Sequence, residues 1–334
     1  MKASVRLRDV AAHAGVSPAT ASRTLNGDER VDAQLRERVL AAVAVLGYRR
    51  NMLARNLRLR RVDQIGVVVS DIENPHFSEM VKVVEAAAFQ RGHRVVVCGT
   101  DESAAKQATY LRLLAEERVA GVILSPSDPD GAEIGELLDS GIPVVAFDRD
   151  VTDPRADAVI ADNVNGLAAA TRLLIEAGHT SIGYVGGRKG VETGVERLQG
   201  YRRAMRAAGL RPRVVVGDFR IERARQAVAG LLASDDPPTA LVVANNLMVL
   251  GALKAAHDAG FRIPDDLALV GVDDPYWAEF VNPSITSLAQ PVAAMAREAV
   301  ELLIARIDGA TGPPRRSLHS FGLIVRASSG PVPS

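Results

Sequence analysis

One cysteine, one tryptophan and an aromatic content of only 4% mark this 334-residue sequence. A lone Cys98 excludes a disulfide framework and any cysteine-based zinc site. Scarce aromatics beside abundant alanine and valine suit helices packed on buried parallel strands better than an all-β sandwich. No stretch approaches the roughly 20 apolar residues that span a bilayer. Met1 to Gly15 has no apolar run after Lys2 that would serve as an export signal, so the expected location is the cytoplasm, with no membrane partner. No leucine heptad precedes Ser334, which favours a homodimer over a tetramer built on a C-terminal coiled coil. Hydrophobic residues make up 47%, enough for two or three domains with cores of their own.

Net charge is also missing, but its distribution is uneven. Residues 1–61 hold 13 Lys or Arg against the five acids Asp9, Asp28, Glu29, Asp32 and Glu37. That leaves 27 of the 40 basic and 35 of the 40 acidic residues for the rest of the chain. A basic end on an acidic body points to a polyanionic partner at that end, although a solvated basic surface gives the same count.

The basic end reads as three helices. The first spans about Arg8 to Ala14 and stops at Gly15, a residue suited to a left-handed C-cap. Ser17-Pro18 supplies an N-cap and a favoured first helical residue for a second helix ending at Asn26-Gly27. A third follows Asp32, with Leu35, Val39, Val43 and Leu46 on one face and Gly47 as its stop. The tight connection between the first two is that of a helix-turn-helix, in which the second helix enters the DNA major groove. Ser17, Thr20, Ser22, Arg23 and Asn26 are short or polar groups able to bond phosphates or base edges, Arg23 to guanine through two bonds. The bland alternative is a three-helix packing module with Ser17 only a cap and Arg23 only a surface charge. Residues 51–61 form a cationic stretch, too short and too charged for a stable isolated helix.

From Gln64 onward, short β-branched runs alternate with amphipathic helices, the pattern of parallel sheets covered on both faces. The expected strands are 65–69, 94–97, 121–124 and 143–146, then 181–185, 214–216, 240–243 and 268–272, with similar spacing in the two sets. The predicted fold is therefore an all-α head and an α/β body of two doubly wound parallel-sheet lobes. The expected boundaries are 1–49 for the head, 50–62 for the hinge, 63–162 with 291–320 for one lobe, and 163–290 with 321–330 for the other. Crossings near Asp162-Asn163, Gln290-Pro291 and Ser320-Phe321 would make lobe closure a hinge motion.

Ligands of such sheets bind beyond the carboxyl ends of the strands. The residues there are Ser70, Asp71, Asn74, His76 and Phe77, then Asp148-Arg149, Arg197, Phe219, Asn245-Asn246, Asp273-Asp274 and Gln290. Carboxylates, amides and guanidinium groups bond sugar hydroxyls, while Phe77 or Phe219 could cover a C–H face. Each acid has a duller reading, since Asp162, Asp273 and Asp274 could each be a helix cap. A monosaccharide such as a pentose fits this chemistry best, with a nucleobase or another small polar metabolite as the alternative.

The run from Leu7 to Gly27, LRDVAAHAGVSPATASRTLNG, resembles the headpiece of the lactose- and galactose-repressor family, and Tyr48, Asn51, Ala54 and Leu57 continue the match into that family's hinge. The resemblance implies a transcription regulator whose dimer binds pseudopalindromic double-stranded operator DNA under the control of a small effector. It assigns DNA contacts to Arg6, Ser17, Pro18, Ala19, Thr20, Ser22, Arg23, Asn26, Asn51, Ala54 and Leu57, with Leu57 wedged into the minor groove. It also implies a body similar to periplasmic ribose-binding proteins, with sugar contacts at Asn74, Phe77, Asp148, Arg149, Arg197, Phe219, Asn245, Asp273 and Gln290. Ser70 and His76 join them as candidates. Three positions depart from the family: Ala21 stands for a usual valine, Arg50 for a usual proline, and His76 for a usual hydrocarbon aromatic.

Two rivals share parts of this pattern. A sugar-converting α/β enzyme would use strand-end polar groups catalytically, but no phosphate loop, G-x-S-x-G elbow or H-E-x-x-H motif is present. The six histidines form no ligand-spaced cluster, and His93 and His179, each after a glycine, read as helix-end charges. No cofactor or metal is expected. An exported sugar-binding protein would explain the body but not the basic head.

Overall fold

The computed structural model describes residues 5–25, 28, 30–48 and 63–332. The chain divides into two compact units, Met1–Arg61 and Val62–Ser334.

In the first unit, α1 (Leu7–Ala14), α2 (Pro18–Leu25) and α3 (Ala33–Leu46) enclose a small core of Val10, Ala11, Ala14, Ala21, Val39 and Ala42. Leu7, Leu25, Val43, Leu46 and Tyr48 pack at its edges. Gly15 ends α1 in the left-handed region at φ 62°, and Val16 N–H returns to Ala11 O at 3.0 Å. Ser17 Oγ accepts from Thr20 N–H at 3.0 Å, and Asp32 Oδ1 accepts from Gln34 N–H at 2.9 Å. Short side chains are what allow three such short helices to close on one another; Ala21 is completely buried.

The second unit holds two six-stranded sheets. The first lobe contains β1 (Gln64–Val69), α4 (Pro75–Gln90), β2 (Arg94–Gly99), α5 (Ala104–Glu116), β3 (Gly121–Leu124), α6 (Ala132–Asp139), β4 (Val144–Asp148) and β5 (Asp157–Ala161). The second contains α7 (Asn163–Glu176), β6 (Ile182–Gly186), α8 (Glu192–Ala207), β7 (Arg213–Val216), α9 (Ile221–Leu232), β8 (Ala240–Val243), α10 (Asn246–Asp258), β9 (Ala268–Val272) and β10 (Thr286–Ala289). The chain then returns through α11 (Val292–Ile307) and β11 (Arg316–His319) to the first lobe and ends with β12 (Gly322–Ile324) in the second.

Strand order is β11-β5-β4-β3-β1-β2 in one sheet and β12-β10-β9-β8-β6-β7 in the other, so the lobes repeat one topology. All pairs are parallel except β10 with β12, which is antiparallel and makes the second sheet mixed. Central strands such as β3, β4, β8 and β9 are buried along their whole length, as helices on both faces require. In the first lobe, α4 and α11 cover one face with Phe77, Met80, Val84, Met295 and Leu303, and α5 and α6 cover the other with Leu111, Leu114, Ile134 and Leu137. Three passages between the sheets follow β5, β10 and β11.

Candidate functional site

Helix α2 presents Ser17, Pro18, Ala19 and Arg23 to solvent, with Thr20 and Ser22 partly covered; Arg6, before α1, is also exposed. Ser17 is at once cap and surface group, being exposed while its Oγ accepts from Thr20 N–H and lies 2.9 Å from Thr20 Oγ1. Asn26, Asn51, Ala54 and Leu57 lie outside the described residues.

The second unit has a cleft at the carboxyl ends of its strands, with about 370 Å³ of atom-free space including its mouth. Both lobes line it: Asp71, Asn74, His76, Phe77, Glu102, Asp148 and Arg149 from the first, Thr193, Arg197, Phe219, Asn245 and Asp273 from the second, and Gln290 at a crossing. Local devices place several of these side chains. Asn74 and Asn245 cap α4 and α10, accepting from His76 N–H at 3.0 Å and Met248 N–H at 2.8 Å. Their side chains therefore support helix ends as well as the cleft wall.

The backbone carries the same strained positions twice. Asp148, ending β4, has φ 67°, and its topological counterpart Asp273, after β9, has φ 69°. After β2, Asp101 and Glu102 have φ 51° and 59°; after the corresponding β7, Asp218 and Phe219 both have φ 57°. Left-handed backbone at non-glycine residues costs energy and is retained where the surroundings over-determine it. Here the turns deliver Glu102, Asp148, Phe219 and Asp273 to one cavity.

Charge in the cleft is buried but matched. Arg149 forks onto Glu102, with Nη1 to Oε2 at 2.7 Å and Nη2 to Oε1 at 2.6 Å. Burial works against the Arg149 charge, but Glu102, Asp148 and Glu192 outweigh it and hold the guanidinium above its ordinary value. Arg197 donates to Asn163 Oδ1 and to Ala244 O, both at 2.8 Å. Asp273 accepts from Asn246 Nδ2 at 3.0 Å and from Gln290 Nε2 at 2.9 Å. His76 stands between two carboxylates, Nε2 3.6 Å from Asp148 Oδ1 and Nδ1 3.7 Å from Asp273 Oδ1.

Hydrogen bonds cross from lobe to lobe around the cavity. Asn246 Nδ2 reaches Asn74 Oδ1 at 2.8 Å, Arg220 Nη1 reaches Asp71 Oδ2 at 2.8 Å, and Glu192 Oε2 accepts from Asp150 N–H at 2.8 Å. Burial raises the Asp71 carboxyl above its usual range despite Arg220 beside it.

Ten of the eleven body candidates converge on this cavity: Asn74, His76, Phe77, Asp148, Arg149, Arg197, Phe219, Asn245, Asp273 and Gln290. Ser70 does not. It is fully buried just after β1 and does not line the cavity, unlike its neighbour Asp71. Glu102 and Thr193 line the cavity without having been singled out by sequence. Two other readings need correction. His179 is not a helix-end charge; it is fully buried, with Nδ1 2.9 Å from Thr239 Oγ1 and Nε2 3.0 Å from Gly330 O. Of the three candidate acidic caps, only Asp162 caps a helix, accepting from Asn165 N–H at 3.1 Å, while Asp274 pairs with Arg326 at 2.6 Å.

Comparison with known proteins follows this division. Residues 6–51 match bacterial regulatory proteins of the lacI family, and residues 171–329 match the periplasmic binding protein-like domain. The HTH-type transcriptional repressor PurR of Photobacterium profundum is 34% identical over 96% of this chain and 98% of its own. The ribose operon repressor of Halalkalibacterium halodurans is 36% identical over 90% of each chain. Among solved structures, the Lac repressor dimer bound to operator and the anti-inducer ONPF superposes with a TM-score of 0.88 at 27% identity, covering 98% of this chain and 99% of that one. The chain belongs to the lacI family of bacterial regulatory proteins.

Proposed function

We propose that the chain is a cytoplasmic, homodimeric transcriptional repressor whose affinity for operator DNA is set by a small polyhydroxylated metabolite, a monosaccharide such as a pentose, held between the lobes. The observation that carries this reading is the cleft itself. Two lobes of one topology bring ten sequence-selected side chains, mostly amides, carboxylates and guanidinium groups with two phenylalanines, around one cavity in a chain that also carries a lacI-family head. Carboxylates accept from hydroxyls, guanidinium groups donate to them and amides do both, and Phe77 and Phe219 can cover an apolar ring face.

The DNA-reading role falls to α2 and its approaches. Exposed Ser17 and Arg23 have the chemistry for phosphate and guanine contacts, and a dimer would present two such helices to the half-sites of a pseudopalindrome. The Lac repressor, a dimer on operator DNA, supports that assembly by likeness. Both named relatives are repressors, which favours a regulator over a sugar-converting enzyme.

Two experiments test the reading. Selection of bound duplexes from a random library should enrich a pseudopalindrome, with affinity falling steeply as salt rises. Absence of any sequence enrichment would remove the regulator reading. Thermal unfolding with D-ribose, D-xylose, D-glucose, D-fructose and adenine should show a concentration-dependent rise with a sugar. A rise with adenine alone would replace the sugar by a nucleobase, and turnover of a bound sugar would favour an enzyme.

A further inference from the structure

We propose that His76 is a specificity determinant of the cleft: with Asp148 and Arg149 it forms a receptor for two neighbouring hydroxyl groups, acting as a hydrogen-bond donor to one of them. The inference rests on the reading of the cleft as a small-molecule site.

The ring of His76 is fixed before any ligand arrives. It lies in the first turn of α4, just after the capping Asn74, and its edge meets the Phe77 ring with centroids 4.9 Å apart at 82°. Its side chain is 3% exposed. Nδ1 faces Gln290 Nε2 at 3.4 Å, and the same amide nitrogen donates to Asp273 Oδ1 at 2.9 Å. A primary amide has two hydrogens and can serve both acceptors, which leaves Nδ1 accepting and places the imidazole proton on Nε2.

That Nε2–H is buried and has no hydrogen-bond partner among the described residues. Asp148 Oδ1, at 3.6 Å, is beyond hydrogen-bonding range. Arg149 repeats the situation on the other side of the same carboxylate. Its Nη atoms are committed to Glu102, while Nε is buried, unpartnered and 3.8 Å from Asp148 Oδ2. Each oxygen of Asp148 thus stands 3.6 to 3.8 Å from a buried donor, a gap too wide for a direct hydrogen bond but narrow enough for one oxygen atom set beside the pair to reach both.

A hydroxyl suits such a gap because it accepts from the N–H and donates to the carboxylate together. An ether oxygen only accepts and a protonated amine only donates, so either leaves one wall unsatisfied. Two gaps on the two oxygens of one carboxylate call for hydroxyls on adjacent carbons. Phenylalanine at position 76 would fill the space but offer no donor, which makes this residue the one that ties selectivity to a particular hydroxyl.

The test is calorimetric titration of the full-length protein with D-ribose, D-xylose, D-glucose and D-fructose, followed by each monodeoxy form of the tightest binder. In the wild type, two deoxy forms, at neighbouring carbons, should each bind roughly ten- to a hundredfold more weakly, the effect of a buried polar group left unpaired. His76→Phe should weaken the parent sugar by a similar factor and lose the discrimination against one of the two while keeping the other, and His76→Gln, which keeps an N–H donor, should restore much of what is lost. Thermal unfolding of each variant confirms that it is folded. Parent affinity and deoxy discrimination both unchanged in His76→Phe would overturn the assignment. So would a wild type that binds a sugar yet tolerates every monodeoxy form, with the cleft reading intact. Failure to bind any of the four sugars would overturn the assignment together with the sugar reading of the cleft.

Discussion

Tyr184 has a buried hydroxyl without a partner among the described residues, although its ring stacks on Tyr201 with centroids 4.9 Å apart. Burial pushes its phenol well above the ordinary tyrosine value. Tyr184→Phe should therefore be neutral or stabilising by up to about 1 kcal/mol, read from the denaturant midpoint at unchanged slope; a loss of that size would mean the hydroxyl is bonded. Glu192 poses a charge problem instead. Its carboxyl is held above the usual range by burial first and then by Asp148, against the opposing Arg149. The folded form thus takes up a proton more readily than the unfolded chain. The cost of its charge is present above the raised value and fades as pH falls through it. Glu192→Gln should unfold at a higher temperature than wild type near about pH 8, with the difference narrowing towards pH 5. A pH-independent difference would show that charge is not the cause. Polar residues after strands, from Asn74 to Gln290, were legible because sheet ends are where ligands meet such folds. Glu102 was not: its placement depends on two consecutive left-handed residues, Asp101 and Glu102, that sequence does not announce.

Helix α8 passes so close to α7 that a Cβ on Gly200 would lie 2.3 Å from Val164 O and 3.0 Å from Leu167 Cβ. Gly200→Ala should destabilise the second lobe by about 1–3 kcal/mol, measured by chemical unfolding; unchanged stability would mean the helices can part freely. In the head, Ser17→Ala should cost about 1 kcal/mol through loss of the α2 cap. Its test is thermal unfolding of the head signal, and no change would leave the serine as a surface group alone. The capped helices were readable from Gly15, Ser17-Pro18 and Asp32, each a local signal. Strands β5, β10, β11 and β12 were not, being three to five residues long and mostly small, polar or charged. Thr286-Ser287-Leu288-Ala289, for instance, becomes a strand because β9 and β12 flank it. The same tertiary dependence reversed the reading of His179, whose buried ring joins Thr239 to Gly330 across the sequence.

For the molecule as a whole, a basic segment of 61 residues and an acidic two-lobed body divide the work that the family membership implies. Three chain passages between the sheets leave hinge motion as the natural response to a ligand, and the lobe-crossing bonds of Asn246, Arg220 and Glu192 are the contacts that such motion makes or breaks. Thermodynamic linkage then requires the effects to be mutual: if a sugar changes DNA affinity by some factor, DNA changes sugar affinity by the same factor. The decisive measurement is fluorescence anisotropy of the selected duplex with and without a saturating sugar, for wild type and for Asp273→Asn, which keeps the shape and tolerates the left-handed backbone. The account predicts a shift of roughly 5- to 150-fold in the wild type, matched by calorimetry of the sugar with and without duplex, and little or none in the variant. Calorimetric binding of the sugar with no change in duplex affinity would contradict it.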